Sequence, residues 1–441
     1  MVYRALLIVG LSAGALAGCK NRCNAEITLN EDNAHSAALT WSARTQGTVT
    51  FSYSGDGDAT DRLGAVDSSG AKHTAVVWGL PPLAEIQYQF DSDSESCTDT
   101  FTASGMPSGL PTFSVPSYDE ADIDSWRYLA GVAMGEAGTL FVIDRDGRWR
   151  YHQAHDRALN VSTVTVDGGT LIHNSFDQDR TNDIGQVHFI DIITGETVST
   201  RTEGAHHTFA HLPDGSIAFP SVDVRPWTDP ESGEEYQVVG DRILEIAPDG
   251  TVAELWSSWD HAEPTIHDAW DSGFYGDLGQ DWTHANALNY SEERDSYLLS
   301  LGHLDTIYEI DRSTGAVLLH LTPEDVAAGE VYNFQHDTNW SPDGTLLLLS
   351  YPEDKPAIAI EYAVSSEGVL EEVWSYQRDK MGSTLLGQVR RLPNENTFIN
   401  FGGIGEMREV TPSGDVAWQL NIGLGAWFGN VVLLDTLPVL P

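Results

Sequence analysis

Cationic side chains are scarce in this sequence: 23 lysines and arginines stand against 66 aspartates and glutamates, a formal net charge of −43 over 441 residues. No lysine/arginine cluster interrupts the acidity, which argues against nucleic acid or anionic lipid headgroups as partners of the protein surface. An anionic ligand has to approach against the same field, which salt screens. Cysteine is scarcer still, at three residues, and no Cys-x-x-Cys pair occurs. His-Glu-x-x-His and Gly-x-Ser-x-Gly are also missing, which removes the common zinc-protease and serine-hydrolase signatures. Long apolar runs are confined to residues 5–17, too few to span a bilayer. No amphipathic helical period of ordinary length is present, so a parallel α/β fold is not expected.

What is present is ample for packed cores, with 41% hydrophobic residues and 10% aromatics, and disorder is not the default. Arg4 and the apolar run after it read as a signal peptide over residues 1–18. Leu16–Ala17–Gly18–Cys19 resembles the bacterial lipobox, and the resemblance implies lipidation of Cys19, which holds a protein to a leaflet. The expected location is an exported, membrane-anchored lipoprotein, with Lys20 after the lipid cysteine leaning toward the outer membrane, facing the periplasm or the cell surface. In an oxidising compartment the remaining pair, Cys23 and Cys97, suggests one disulfide.

Residues 24–104 read as short alternating strands separated by turn residues. Trp41, the run Gly79–Leu80–Pro81–Pro82 and Tyr88 make this stretch similar to a fibronectin type III or immunoglobulin-like β-sandwich. Residues 105–124, with Pro107, Pro111 and Pro116, read as a linker. Beyond it the chain repeats. Strand pairs close on Pro213–Asp214–Gly215, Pro248–Asp249–Gly250, Pro342–Asp343–Gly344, Pro393–Asn394–Glu395 and Asp311–Arg312–Ser313–Thr314–Gly315. Recurring four-strand units of this kind are propeller blades, and about six fit residues 125–441. The expected fold is all-β, a sandwich followed by a six-bladed β-propeller.

Aligning the units on their first turn puts three histidines in one column: His207 six residues before Pro213, His336 six before Pro342, and His284 at the same offset before the acidic turn at residues 290–295. The first strand of each blade lines the central channel, so equivalent positions converge there. A histidine repeated for structure alone is the bland alternative. It weakens because the column is selective, with Gly387 at the equivalent place before Pro393.

Asp281–Trp282–Thr283–His284–Ala285–Asn286–Ala287–Leu288 resembles the motif of the bacterial arylsulfotransferases, as do Ala205–His206–His207–Thr208–Phe209 and Phe334–Gln335–His336–Asp337. The resemblance implies transfer of a sulfuryl group from a phenolic sulfate ester to a phenol through a sulfated histidine, with no nucleotide cofactor. By position, His336 matches the nucleophile, and His207 and His284 match the histidines that hold the sulfate and assist proton transfer. The chemistry suits imidazole. A neutral ring nitrogen can attack sulfur, and a second imidazole can protonate a leaving phenoxide, whose conjugate acid has a pKa of about 10. The partners implied are a small aryl sulfate and a phenol, with membrane contact through the lipid only; the oligomeric state is not legible.

One position departs from the family: Gly302 stands where an arginine is expected. A guanidinium there would neutralise the sulfate oxygens. His303 is adjacent, but in a strand its side chain points to the opposite face from residue 302. Arg390, Arg391 and Arg225 are candidates for a cation brought from elsewhere. Trp282 and Asn286 are weak candidates for substrate contact, and residues 257–281 carry Trp259, Trp270, Phe274 and Tyr275 as a wall for an aryl group, with His261 and His267 incidental. Two alternatives stay open: metal binding by the three histidines, and a non-catalytic propeller that binds a glycan, a small ligand or a protein. A quinone-dependent dehydrogenase propeller lacks its repeat signatures here.

Overall fold

The computed structural model describes residues 23–30, 35–42, 50–54, 62–63, 65–67, 72–91, 96–134, 138–154, 161, 163–176, 185–192, 194–270, 273–382, 386–423 and 425–437. The apolar N-terminal run and Cys19 lie outside these residues. Among them the structure is all-β, with five single-turn 3-10 segments and no α-helix.

The N-terminal part consists of two four-stranded sheets. Glu26–Leu29, Ser36–Ser42, Lys72–Trp78 and Ala65–Asp67 form one in that order; Arg62–Leu63, Thr50–Ser54, Glu85–Asp91 and Ser96–Thr102 form the other. Lys72–Trp78 and Glu85–Asp91 alternate buried and less buried residues, the period of a strand with one face on a core. Trp41 sits in that core, its ring stacked 4.8 Å from Phe90 and 5.6 Å from His73. Cys23 and Cys97 are disulfide-bonded, with Cα atoms 5.6 Å apart.

Among the described residues six sheets then follow in chain order, antiparallel except that Gln280–Asp281 pairs parallel with Glu235–Ile246 and Val326–Ala328 with Leu370–Gln377. The middle strands of most are buried on both faces, as Tyr128–Met134, Thr139–Asp144 and Ser296–Leu301 are along their whole length. Sheets packed face to face in a ring bury both faces, whereas a sandwich buries one. The ring is closed at both ends of the chain. Trp427–Phe428 and Val432–Leu434 pair with Tyr128–Met134 in the first sheet. Phe113–Tyr118 pairs with Val416–Ile422 and becomes the outer strand of the sixth. The stretch expected to be a linker therefore contributes a strand: Pro116 lies within it and is tolerated at a sheet edge, and Phe113 packs between Phe141 and Trp149. The expected turns form as read. At Pro342–Asp343–Gly344, Ser341 N–H donates to Thr345 O at 2.8 Å, and Gly344 takes φ +78°, which a side chain would strain.

The two parts touch. Trp78 joins the core built by Tyr128, Val142 and Tyr151, and buried Arg150 donates to Gly79 O at 3.1 Å while pairing with Asp144 at 2.9 Å. Because the disulfide closes a loop across 74 residues, Cys23→Ser with Cys97→Ser should cost the N-terminal unit about 2–4 kcal/mol. Calorimetry should show that unit melting earlier while the propeller transition stays in place; equal shifts of both would refute an independent N-terminal core.

Candidate active site

Two of the three column histidines meet. His207 precedes the inner strand Ala210–His211 of the third sheet, and His284 precedes Ala285–Ser291 of the fourth. Their rings lie 4.7 Å apart, edge to face. Both occupy the left-handed backbone region, with φ of +53° and +51°. That conformation is uncommon for a side-chain-bearing residue and costs of order 1–3 kcal/mol. It turns each ring out of the strand direction toward the other.

A carboxylate backs each ring. Asp281 Oδ2 is 2.8 Å from His284 Nδ1. Behind His207 stands His206, with the two Nδ1 atoms 2.9 Å apart, and His206 Nε2 is 2.7 Å from Asp241 Oδ1. The other oxygen of Asp241 accepts the Thr283 hydroxyl at 2.6 Å and the Ala285 N–H at 2.7 Å. Asp241, from Glu235–Ile246, thus ties the loop that carries His206 and His207 to the loop that carries His284. Phe274 stacks on His207 at 4.7 Å and meets His284 edge-on at 4.9 Å. The Tyr275 hydroxyl is 3.4 Å from both His206 nitrogens.

His303 joins this cluster, contrary to the strand argument. Residues Gly302–Leu304 make a 3-10 turn rather than continuing the strand. The turn redirects the side chain, and His303 stacks on His284 at 4.3 Å and 15°, with Phe334 beside it at 5.9 Å. A β-carbon at Gly302 would lie 2.6 Å from Asn286 Nδ2 and 3.3 Å from Phe334, so a side chain at that position requires Asn286 to move. His267 is not incidental either: its Nε2 is 2.9 Å from Trp282 O, and its ring meets His303 at 5.2 Å. His261 instead stacks on Trp256 at 5.3 Å, away from the cluster.

His336 is buried, and among the described residues no aromatic ring pairs with it. Its Nδ1 has no hydrogen-bond partner among them. Burial pushes its pKa down to about 4; Asp337 and the Gly387 backbone oppose the shift and the charge of His284 adds to it. His303 is likewise pushed down to about 4, by burial and then by His284. For His284, burial acts downward too, but the adjacent Asp281 carboxylate outweighs it and the pKa is raised. Burial thus favours the neutral form of His303 and His336, whereas the Asp281 carboxylate favours the charged form of His284.

The other expected contacts divide. Asn286 is buried and donates to Gln335 O at 2.9 Å, bracing the fourth sheet against the fifth. Trp282 is fully buried with Trp270 and Val238, a packing role. Arg390 pairs with Asp337, donates to Val389 O at 2.7 Å and to Asn289 at 3.0 Å, and lines a cavity of about 370 Å³ along the channel with Thr165, His211 and Asn289. Arg391 pairs with Glu361, and Arg225 pairs with Asp223 and lies over Trp259. No arginine stands in for the one expected at position 302 among the described residues.

Asp281, His284 and His303 bring three metal-ligand atoms within 4.8 Å of one another. The rings are nearly parallel, however, and an imidazole lone pair lies in its ring plane. No point about 2 Å from both Nδ1 atoms lies in both planes, as a first-row metal requires. The group fits a carboxylate–imidazole pair with a second ring stacked on it. Sequence reasoning assigned no role to Asp241, His206 or Asp281. A lone acid in the apolar run Val238–Val239–Gly240–Asp241 was the available signal for the first.

Since Asp281 raises the His284 pKa, Asp281→Asn should lower it, as followed by histidine NMR titration. A raised histidine contributes stability that is full below its unfolded pKa of about 6.5 and is lost as pH rises through the folded value. The variant should lose that contribution at pH 6 and below, and an unchanged His284 titration would contradict the pairing.

Residues 124–331 match the family model described as Arylsulfotransferase (ASST). The match contains His207, Asp241, Asp281, His284 and His303 and ends before His336. No curated protein matches the sequence. Solved structures similar to it include a protein of unknown function from Bacteroides caccae, 14% identical, covering 70% of this chain and 100% of that one at a TM-score of 0.47. A streptogramin B lyase is 11% identical over 73% of this chain and 98% of that one, at a TM-score of 0.40. An inactive virginiamycin B lyase from Staphylococcus aureus is 10% identical over 60% and 70%, at 0.36.

Proposed function

We propose, on the premise that residues 124–331 carry the arylsulfotransferase family match, that the protein transfers a sulfuryl group from a phenolic sulfate ester to a phenol through a sulfohistidine, without a nucleotide. The observation that carries this reading is the pair His207 and His284, in ring contact at 4.7 Å, His284 backed by Asp281 and His207 by His206, which is itself held by Asp241. A transferable anion needs a fixed cation, and in this reading His284 takes that part, its protonated form favoured by the Asp281 carboxylate against the effect of burial. This imidazolium takes the charge-neutralising part for which Gly302 has no side chain. Phe274 and Phe334 offer aromatic faces beside the histidines for an aryl ring.

In the first half-reaction a neutral His336 nitrogen attacks sulfur. The nitrogen–sulfur bond forms, the sulfur–aryl oxygen bond breaks, and the departing phenoxide takes a proton from His207. In the second, the acceptor phenol returns a proton to His207 as its oxygen attacks sulfur and the nitrogen–sulfur bond breaks. Splitting the transfer this way makes two easier steps of one. The low pKa of His336 keeps its lone pair available at neutral pH. Export and anchoring through Cys19 belong to the same proposal, and Cys19→Ser should move the protein from the membrane fraction to the soluble extract; unchanged membrane retention would count against the anchor.

The test is to incubate the protein with a chromogenic aryl sulfate and a phenol and to follow both phenol release and intact mass. Wild type should release phenol and gain one sulfuryl group, and His336→Ala should lose the adduct and at least ~10³-fold in turnover. A folded His336→Ala protein that keeps the adduct would displace His336 as nucleophile. No release or adduct with any of a broad range of donors would leave a ligand-binding propeller instead.

A further inference from the structure

The hydrogen-bond chain behind His207 has a determinable proton count. A backbone N–H only donates, so the Asp241 oxygen facing Ala285 N is an acceptor, and the ionised carboxylate accepts on its other side from His206 Nε2–H. Between His206 Nδ1 and His207 Nδ1, 2.9 Å apart, one hydrogen must lie. Two charge states satisfy this, and in the protonated one the adjacent Asp241 carboxylate favours the extra proton on His206 over His207. With His206 neutral, its Nδ1 accepts, His207 Nδ1–H donates, and His207 Nε2 carries a lone pair. With one more proton, His206 is an imidazolium against Asp241, its Nδ1–H donates, and His207 Nε2 carries hydrogen. His206 and Asp241 are each at most 1% exposed, so water does not compete for these bonds.

From this geometry we infer that Asp241 and His206 are positioning residues that form a proton relay, setting whether His207 Nε2 is a base or an acid and storing the reaction's proton away from it. The inference rests on the sulfuryl-transfer reading for its use, not for its existence. A proton received at His207 Nε2 is matched by one passed from His207 Nδ1 to His206 Nδ1, so the charge appears on His206, beside Asp241. That removes a second cation from the ring in contact with His284. Among the described residues, titratable groups that face the pair include Asp241, the Tyr275 hydroxyl and His284. The balance closes over the cycle. The leaving phenoxide takes the Nε2 proton as the sulfur–oxygen bond breaks, and the acceptor phenol restores it as the nitrogen–sulfur bond breaks.

Asp241→Asn is a directed test because the neighbours decide how the amide sits. The Ala285 N–H needs an oxygen, so the amide nitrogen must face His206 Nε2. It then donates to that nitrogen, moves the His206 hydrogen to Nδ1 and forces His207 into the Nε2–H form, with no proton it can give up without becoming an anion. Nitrogen-15 histidine spectra should show His207 as the Nδ1–H tautomer in wild type at high pH and as Nε2–H in the variant. An unchanged tautomer in folded Asp241→Asn overturns the relay. Wild type alone supplies the second measurement: on acidification the His206 and His207 signals should titrate together at one apparent pKa, and independent titration overturns it. In turnover, the variant should lose at least about tenfold more with donors whose phenol is basic than in its first release of an acidic nitrophenol, whose departure needs no proton. Equal loss with both donors overturns the relay and leaves a packing role. If wild type turns over no donor, the sulfuryl-transfer reading fails while the two spectroscopic results still decide the relay.

Discussion

Asp241 is the buried charge on which the arrangement of the site depends. Its two oxygens hold a ring from one loop and a hydroxyl and a backbone N–H from another. Neither loop is long, and both carry a histidine in a left-handed conformation that costs free energy by itself. A carboxylate with three donors at 2.6–2.7 Å offsets that strain and fixes the rings relative to each other. A buried carboxylate is tolerated only when its oxygens are occupied, which makes the clamp an all-or-none feature.

The same physics sorts the histidines by charge. Burial alone leaves an imidazole neutral, and His303 and His336 follow that rule. An adjacent carboxylate reverses it, as Asp281 does for His284. In this strongly acidic protein the charge most favoured at the site is thus on an imidazole whose counter-ion is built in. A guanidinium is not brought in, because the arginines of the channel and rim are committed to carboxylates elsewhere. At position 302 a side chain would have to displace the Asn286 amide and crowd Phe334.

Much of the fold was legible because it is local. Turn signals at Pro213, Pro342 and Pro393 mark hairpins whose hydrogen bonds are made within five residues, and alternation in Lys72–Trp78 reports one buried face. The column of histidines was legible for the same reason, since a repeat preserves spacing from its own turn. What the spacing could not carry was orientation. His207 and His284 take left-handed φ and touch, whereas in the third unit it is Asp337, one residue on, that takes φ +51°, and His336 makes no ring contact among the described residues. His303 was misjudged because a strand was extended through a 3-10 turn that reverses the side-chain direction. The segment read as a linker was misjudged because its partner strand lies some 300 residues away.

The amino-acid sequence by itself determined the all-β class, the succession of hairpin units, the disulfide partners and which residue types line the inner strands. These follow from composition and short-range periodicity, which tertiary contacts do not need to supply. Only the tertiary structure decided that Asp241 and Asp281 stand behind the histidines, that Phe274 faces them, and that Arg390 answers to Asp337. Hydrogen bonds between different sheets join residues far apart in the chain, 53 positions for Arg390 and Asp337 and 101 for Arg390 and Asn289. A contact of that kind leaves no period in the sequence, because its geometry exists only once the ring of sheets has closed.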